Sequence, residues 1–146
     1  SIHGGSAFNV IPDRVELKGT IRTMSTAMRQ LAQDRLGTLA RLTAESFGAK
    51  ADVQLHLGYP VMVNHGAQTA FAADVAKSIS GQCEQAPLIM GGEDFAYMLE
   101  ERPGAYILVG NGDSAAVHHP EYNFNDEAIP AGCSWWAGIV EQRMPV

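Results

Sequence analysis

The chain has 146 residues, of which 46% are hydrophobic and 18% charged, and a formal net charge of −6. This composition is typical of one ordinary globular domain or two small ones, and it indicates a folded chain rather than a disordered one. The acidic balance argues against nucleic acid as a partner, and no run approaches the roughly 18 apolar residues of a membrane span. Cys83 and Cys133 lie far apart, so we expect reduced thiols, no thiolate metal site and a cytoplasmic protein.

The first sixty residues predict the order strand, turn, strand, helix and strand. An extended piece is followed by a Pro-Asp turn, and residues 15–22 then alternate apolar and polar side chains, as a half-buried strand does. Ser25 suits the N-cap of a helix whose apolar residues recur at helical spacing until Gly48. Residues 51–57 alternate again. We expect the helix to cover one face of a small sheet and the other face to stay polar and open.

The second part of the chain begins after a proline-containing turn at residues 58–60, because proline removes a backbone donor and interrupts a strand. Residues 67–79 predict an Ala-rich helix, and a short helix follows the Gly-Gly-Glu-Asp segment at residues 91–94. Residues 106–109 form a continuous apolar run, which predicts a strand buried on both faces. A last helix is expected from about residue 127 to residue 142.

Two polar clusters are candidates for binding. Asn9 and Arg22 are predicted on neighbouring strands, where the planar guanidinium of arginine would fit a carboxylate. The alternative is a surface arginine and a turn asparagine. At residues 91–94, glycines let backbone N–H groups approach a ligand next to a helix N-terminus. The alternative there is a plain turn with acidic capping of the helix.

A third candidate is His118, in the loop Val117-His118-His119-Pro120 that follows the apolar run. A histidine on a loop just past a buried strand stands where a metal ligand can sit, because the backbone opens there. Taken alone, such a loop can equally be a surface turn.

Together these motifs resemble the dinuclear-metal amidohydrolases, a family that includes aminoacylase, hippurate hydrolase, carboxypeptidase G and the desuccinylase of lysine biosynthesis. The resemblance covers the whole chain, with three motifs in the expected order, and it is closest to the hippurate hydrolase and auxin-conjugate hydrolase branch. The motifs are Ile2-His3-Gly4-Gly5-Ser6-Ala7-Phe8-Asn9-Val10-Ile11-Pro12-Asp13 with Gly19-Thr20-Ile21-Arg22-Thr23, then Met90-Gly91-Gly92-Glu93-Asp94-Phe95, and Val117-His118-His119-Pro120 with Phe124-Asn125-Asp126.

The resemblance implies a role for each matched residue. His118 matches a metal ligand, whereas His119 stands where the family varies. Asn9 and Arg22 match lid residues that reach the free carboxylate of the substrate. The loop that lines the substrate pocket matches Gly91, Gly92 and Glu93, although relatives often carry Ser, Thr or Ala in place of Gly92.

The implied fold is an α/β (α+β) chain in two parts. Residues 1–60 would be part of a ferredoxin-like lid and dimerisation domain, and residues 61–146 the C-terminal part of a larger α/β metallopeptidase catalytic domain. The implied activity is hydrolysis of the amide bond of hippurate-like N-acyl amino acids by a homodimeric enzyme. Two divalent ions (Zn, Mn, Co or Ni) with a bridging water and a glutamate general base would act in the intact enzyme.

The remaining ligands and the base lie upstream of the lid domain in the family, and the chain starts within an apparent strand. We therefore expect a fragment of a longer protein, with a processed N-terminus as the alternative. Alone, the fragment should contain no catalytic residue, bind no metal and be inactive. A non-catalytic α/β dimerisation or ligand-sensing module is the competing hypothesis, and the coding sequence upstream of Ser1 would discriminate between the two.

Overall fold

The computed structural model describes residues 1–144, so the last two residues of the predicted catalytic segment lie outside the described part. The chain divides into two compact units, Ser1–Val61 and Met62–Val146. Its architecture is α+β, with a two-stranded sheet and four α-helices within the described residues. No helix in this part of the chain is long and apolar enough to cross a membrane.

The first unit contains the sheet and the longest helix. Strands β1 (Ile2–Gly4) and β2 (Val15–Leu17) pair antiparallel, with Ile2 opposite Leu17. Helix α1 (Thr26–Ser46) begins at the predicted N-cap, where the hydroxyl of Ser25 accepts from the N–H of Met28 at 3.2 Å. The helix ends at Ser46, and Gly48 follows the C-cap as predicted, with a φ of 69° in the left-handed conformation that glycine adopts without strain.

The predicted strands of this unit are wrong in extent. Strand β2 covers three residues of the alternating segment 15–22, residues 51–57 form no strand, and α1 packs against neither strand of the described chain. Val15 is 50% exposed and Leu17 70% exposed, so β2 is not half-buried. Alternation specifies which face of a strand is apolar, but a ladder needs a neighbouring strand. Ile2 lies opposite Leu17, and the structure describes no further strand beside the residues that follow Lys18.

The second unit has a core between two helices. Helix α2 (Gly66–Ser80) packs against α4 (Ile129–Arg143) through Ala72, Val75 and Trp135. The indole N–H of Trp135 donates to the carbonyl of Ala72 at 3.1 Å, so this buried polar atom is satisfied. At Gly138 an added Cβ would lie 3.0 Å from Val75 Cγ1, so glycine there permits the close approach of the two helices. Helix α3 (Phe95–Glu101) lies between them in sequence and buries two further apolar side chains, Ala96 and Leu99.

The predicted strand at residues 106–109 is also wrong. This run is irregular, and Leu108 is 62% exposed. A side chain takes the place of a neighbouring strand: the amide of Asn64 donates to the carbonyl of Tyr106 and accepts from its N–H, both at 2.8 Å. A continuous apolar run becomes a buried strand only inside a sheet, and the described residues provide no second strand here.

The ferredoxin-like character of residues 1–60 stays a prediction.

Candidate functional site

The strongest geometric signal lies at His118. Its φ is 71°, and it is the only non-glycine residue with a positive φ in the described part of the chain. This conformation costs an L-residue roughly 1–2 kcal/mol, and such outliers are concentrated at functional sites. The His118 side chain is exposed, and no hydrogen bond to its ring is found within residues 1–144. Its imidazole therefore remains available to a ligand.

His119 is used differently. Its Nδ1 accepts from the N–H of Glu121 at 3.1 Å, and its own N–H donates to the carbonyl of Ala116 at 3.0 Å. The hydrogen bonds of His119 thus stabilise the turn in which the His118 side chain is exposed. The role of His118 as the metal ligand stays a prediction.

The pocket-loop residues lie in an irregular segment that ends at α3. An added Cβ at Gly91 would meet only Ile89 Cγ2, at an ordinary contact distance of 3.7 Å, so the chain itself does not demand glycine there. Gly91 and Gly92 are exposed, and Glu93 is half-buried. The backbone at Gly91 and Gly92 is therefore accessible to an external ligand, whereas the Glu93 side chain is partly covered by the protein.

Two groups of its own chain act on the Glu93 carboxylate. Its Oε1 accepts from the N–H of Phe95 at 3.2 Å, and the Tyr106 hydroxyl lies close enough for each of the two groups to shift the pKa of the other. The backbone hydrogen bond from Phe95, followed by the Tyr106 hydroxyl, holds the pKa of Glu93 below its ordinary value. The carboxylate in turn raises the pKa of the Tyr106 hydroxyl. Asp94, which occupies the N-cap, makes no side-chain cap, so Glu93 caps α3 in its place.

Asn9 and Arg22 both lie outside the strands. Asn9 is exposed in a turn, and Arg22 is exposed in the irregular segment between β2 and α1. The prediction that they occupy neighbouring strands is wrong, because β1 ends at Gly4 and β2 at Leu17. Their predicted role in binding a substrate carboxylate is a separate question, and it stays a prediction.

The fit to a metal is that of a single ligand. Within residues 1–144, no three His, Cys, Asp or Glu side chains are grouped to hold an ion. An exposed imidazole suits Zn²⁺ and related divalent ions, but a catalytic zinc takes about three protein ligands. His118 fits one place in a site whose other ligands would come from outside this chain.

Sequence reasoning missed the side chains that support these residues. Tyr106, Asn64 and Asn111 were not singled out, although all three make hydrogen bonds around the site. One local signal was available: Asn111 stands between two glycines directly after the apolar run, where a side chain that bonds to backbone is expected to organise a turn.

Known proteins match the chain over nearly its whole length. The model of Peptidase family M20/M25/M40 matches residues 4–142. N-acetyl-L-cysteine deacetylase of Bacillus subtilis (strain 168) is 35% identical over 88% of this chain and 31% of its own length. N-acetyldiaminopimelate deacetylase of Enterococcus faecalis is 33% identical over 97% and 38%. Hippurate hydrolase of Campylobacter jejuni is 28% identical over 95% and 37%.

A solved structure has the same fold. The crystal structure of the Bacillus subtilis YXEP protein, described as a dinuclear metal binding peptidase from the M20 family, superposes with a TM-score of 0.86 at 28% identity. The superposition covers 99% of this chain and 40% of that one. Our chain likewise spans only 31–38% of the three curated relatives above, about a third of their length.

The comparisons therefore confirm the metallopeptidase and amidohydrolase family that the motifs indicated. The assignment to its hippurate hydrolase branch stays a prediction. The family model covers residues 4–142, and the α+β architecture matches that of a peptidase from the same family. The chain belongs to peptidase family M20/M25/M40.

Proposed function

We propose that the protein containing this chain is a metal-dependent hydrolase that cleaves the amide bond of N-acyl amino acids, with His118 as one metal ligand. The observation that carries the proposal is the exposed imidazole of His118 on a backbone with φ of 71°, at the position where the family motif has its C-terminal ligand. The relatives support the substrate class, because their names describe deacetylases of acetylated amino acids and a hydrolase of hippurate.

The residues of this chain would bind and orient the substrate. When bound, a pair of divalent ions supplies Lewis-acid polarisation of the amide carbonyl and an activated water. Arg22 and Asn9 would hold the free carboxylate of the amino acid through charge-assisted hydrogen bonds. The exposed backbone at Gly91 and Gly92 would line the pocket, and Glu93 would fix the end of that loop. We assign no general base to this chain.

The two units would take different roles in the intact protein. Residues 1–60 would be part of a lid and dimerisation domain, and residues 61–146 part of the catalytic domain. A homodimer is supported by the apolar side chains that the first unit leaves exposed, among them Leu31, Leu39 and Leu42 on α1. Sedimentation of the intact protein at micromolar concentration should give a dimer, and a monomer would contradict this part of the proposal.

The acyl group defines the finer prediction. A hippurate-like substrate carries an aromatic acyl group, whereas the deacetylases named above remove a small one. We propose hippurate-like substrates, in line with the motif resemblance, and a comparison of kcat/KM for benzoyl and acetyl derivatives of the same amino acid tests it. A preference for acetyl derivatives would leave the reaction class intact and remove the hippurate branch.

The matched histidines provide the test of the proposal as a whole. In the intact protein, His118→Ala should lower the bound divalent metal and abolish hydrolysis of N-acyl amino acids. His119→Ala should retain the metal, because that ring bonds to backbone. Metal content by mass spectrometry and product release by chromatography give the two readouts. Equal metal content in wild type and His118→Ala would contradict the proposal, and an intact protein with neither metal nor turnover would favour the non-catalytic module.

The chain of residues 1–146 should be inactive when produced alone. A dinuclear site needs about six or seven protein ligands, and catalytic zinc about three per ion, whereas this chain supplies one matched ligand. The assay adds Zn²⁺, Mn²⁺ or Co²⁺ to the purified chain and follows hippurate and N-acetyl amino acids. Turnover that survives repurification and disappears in His118→Ala would overturn this expectation.

A further inference from the structure

His118 lies in a loop whose two ends are joined by one side chain. Asn111 stands at the entry to the loop, and its Oδ1 accepts from the N–H of Asn125 at 2.7 Å. Its Nδ2 donates to the carbonyl of Asn123 at 2.9 Å. These partners follow Asn111 by 14 and 12 residues. The Asn111 amide therefore closes the loop of residues 111–125 at its base, while His118 lies near its middle.

The exit of the loop is fixed to regular structure. The side chain of Asn125 accepts from the N–H of Glu127 at 3.0 Å and so caps the 3-10 turn Asp126–Ala128. Helix α4 follows this turn directly and carries Trp135 into the core. The hydrogen bond from Asn125 to Asn111 thus connects the loop to a helix that is held by buried side chains.

The entry of the loop is fixed in a similar way. The run that leads to Asn111 begins at Tyr106, whose backbone is held on both its N–H and its carbonyl by Asn64. Ile107 packs against the core formed by α2 and α4. Both ends of the loop are therefore attached to the second unit, and the Asn111 amide sets the distance between them.

The conformation at the middle of the loop depends on the two loop ends being held together. The backbone of His118 occupies the left-handed region, which an unrestrained loop leaves readily because other conformations cost less. Two local backbone hydrogen bonds shape the turn, from His119 N–H to Ala116 and from Tyr122 N–H to His119, both at 3.0 Å. With open ends, these local bonds would have to restrain the whole loop by themselves. A loop with closed ends loses less conformational entropy when a ligand orders its centre.

We propose that Asn111 is a positioning residue, which holds the 111–125 loop closed and so presents His118 to a divalent metal ion. The inference rests on the proposed ligand role of His118. The hydrogen bonds of the Asn111 side chain go to Ser114, Asn123 and Asn125, and none goes to the His118 ring. Asn111 acts by joining Asn123 and Asn125 to the entry of the loop.

The variants are chosen to remove different bonds of the same amide in the intact protein. Asn111→Ala removes both long-range bonds. Asn111→Asp keeps an oxygen acceptor for the Asn125 N–H but removes the Nδ2 donor to Asn123. The matched control is Ser114→Ala, which removes two local bonds, the one from Asn111 Nδ2 to the Ser114 hydroxyl at 2.9 Å and the one from that hydroxyl to the carbonyl of Ala115 at 3.2 Å, and leaves both long-range bonds of Asn111 in place.

Zinc affinity is measured by competition with a chromophoric chelator. The site of interest is the one whose zinc binding is lost in His118→Ala. Supporting groups around metal ligands typically change affinity by about 10–100-fold. We expect a loss of about 10-fold or more for Asn111→Ala, a smaller loss for Asn111→Asp, and less than about 3-fold for Ser114→Ala. Metal-free protein provides a second readout: hydrogen exchange at the Asn125 amide should accelerate in Asn111→Ala, whereas amides of α2 and α4 should keep their protection.

The outcomes separate this inference from the function on which it rests. If His118→Ala leaves zinc affinity unchanged, the proposed function fails and the role of Asn111 fails with it. If His118→Ala loses the metal but Asn111→Ala keeps wild-type affinity, the inference is overturned and the function stands. If Asn111→Ala does not fold, Asn111→Asp decides: wild-type affinity together with unchanged exchange at Asn125 overturns the inference.

Discussion

The two units of this chain differ in what their apolar residues do. In the second unit, residues 62–144 bury Ala72, Val75, Ala96, Leu99 and Trp135. In residues 1–61, all of which the structure describes, Gly37 is the only buried residue. The large apolar side chains of α1 and of both strands stay exposed. Residues 62–144 therefore contain a core of their own, whereas residues 1–61 do not cover their own apolar faces.

The difference shows that periodicity and burial are separate properties. Helix α1 forms with a side-chain N-cap and a glycine after its end, yet within residues 1–61 it packs against neither strand. Helix α4 reaches a core because α2 lies opposite it. We expect substitutions in the α2–α4 core of the second unit to act on stability. Substitutions of exposed residues in the first unit should act on substrate binding or assembly.

The largest effect is expected at Trp135, measured as the free energy of unfolding in urea. Trp135→Ala removes a buried aromatic side chain and its hydrogen bond to the Ala72 carbonyl, and we expect a loss of about 3–5 kcal/mol. Trp136 is the matched control, since it is the neighbouring tryptophan and is 65% exposed. Trp136→Ala should cost less than about 1 kcal/mol. Equal losses for the two variants would mean that the α2–α4 core is not the stabilising element.

The next effect concerns the first unit and substrate affinity. In the intact protein, Arg22→Ala should weaken binding of an N-acyl amino acid by about 2–4 kcal/mol, because a charge-assisted interaction with the carboxylate is lost. Arg14→Ala is the control, since Arg14 is also exposed in this unit but has no match in the motif. Calorimetric titration with an uncleaved substrate analogue measures both. An Arg22→Ala affinity equal to that of the control would remove Arg22 from the site.

The helices could be predicted from sequence because their signals are local. Ser25 caps α1 and Gly48 follows its end, as expected, and spacing alone indicated α2, α3 and α4. The strands at residues 51–57 and 106–109 could not be predicted in the same way. A strand exists only where a second strand accepts and donates its hydrogen bonds, and the sequence pattern contains no information on whether that neighbour is present.

The candidate site shows the same limit. The motifs made His118 and residues 91–93 candidates, since each of these two motifs is contiguous. Tyr106, Asn64 and Asn111 escaped notice because their partners are distant in sequence: Asn64 bonds to Tyr106 across 42 residues. Single polar residues of this kind have too many possible partners for sequence alone to choose one. They become visible when the fold brings the two segments together.

A smaller loss of stability is expected at Asn64. Asn64→Ala leaves the N–H and carbonyl of Tyr106 without their partner, and an unsatisfied backbone group costs about 1–3 kcal/mol. The control in the first unit is Gln30→Ala. It removes an exposed bond between Gln30 and Asp34 on α1 and should cost less than about 0.5 kcal/mol. A similar cost at both sites would contradict the view that only the second unit depends on its side-chain contacts.

The smallest effect is expected at the hydroxyl of Tyr106, and it appears as a change in pKa. The N–H of Phe95 and the Tyr106 hydroxyl together lower the pKa of Glu93. A carboxyl group with a lowered folded-state pKa stabilises the fold above its unfolded pKa, and the contribution is lost as pH falls through the folded value. The raised pKa of Tyr106 has the opposite consequence: its contribution is complete below the ordinary value of 10.0 and is lost as pH rises beyond it.

Tyr106→Phe keeps the ring, which lies 5.7 Å from that of Phe95, and removes only the hydroxyl. The pKa of Glu93 should then rise towards its ordinary value without reaching it, because the backbone bond from Phe95 is the larger cause and remains. Stability should consequently depend less on pH in the acid range. The measurement is the titration of the Glu93 carboxyl carbon by NMR, with Tyr122→Phe as a control that leaves this contact intact. An unchanged titration in Tyr106→Phe would show that α3 alone holds Glu93 and that Tyr106 contributes nothing to the pocket loop.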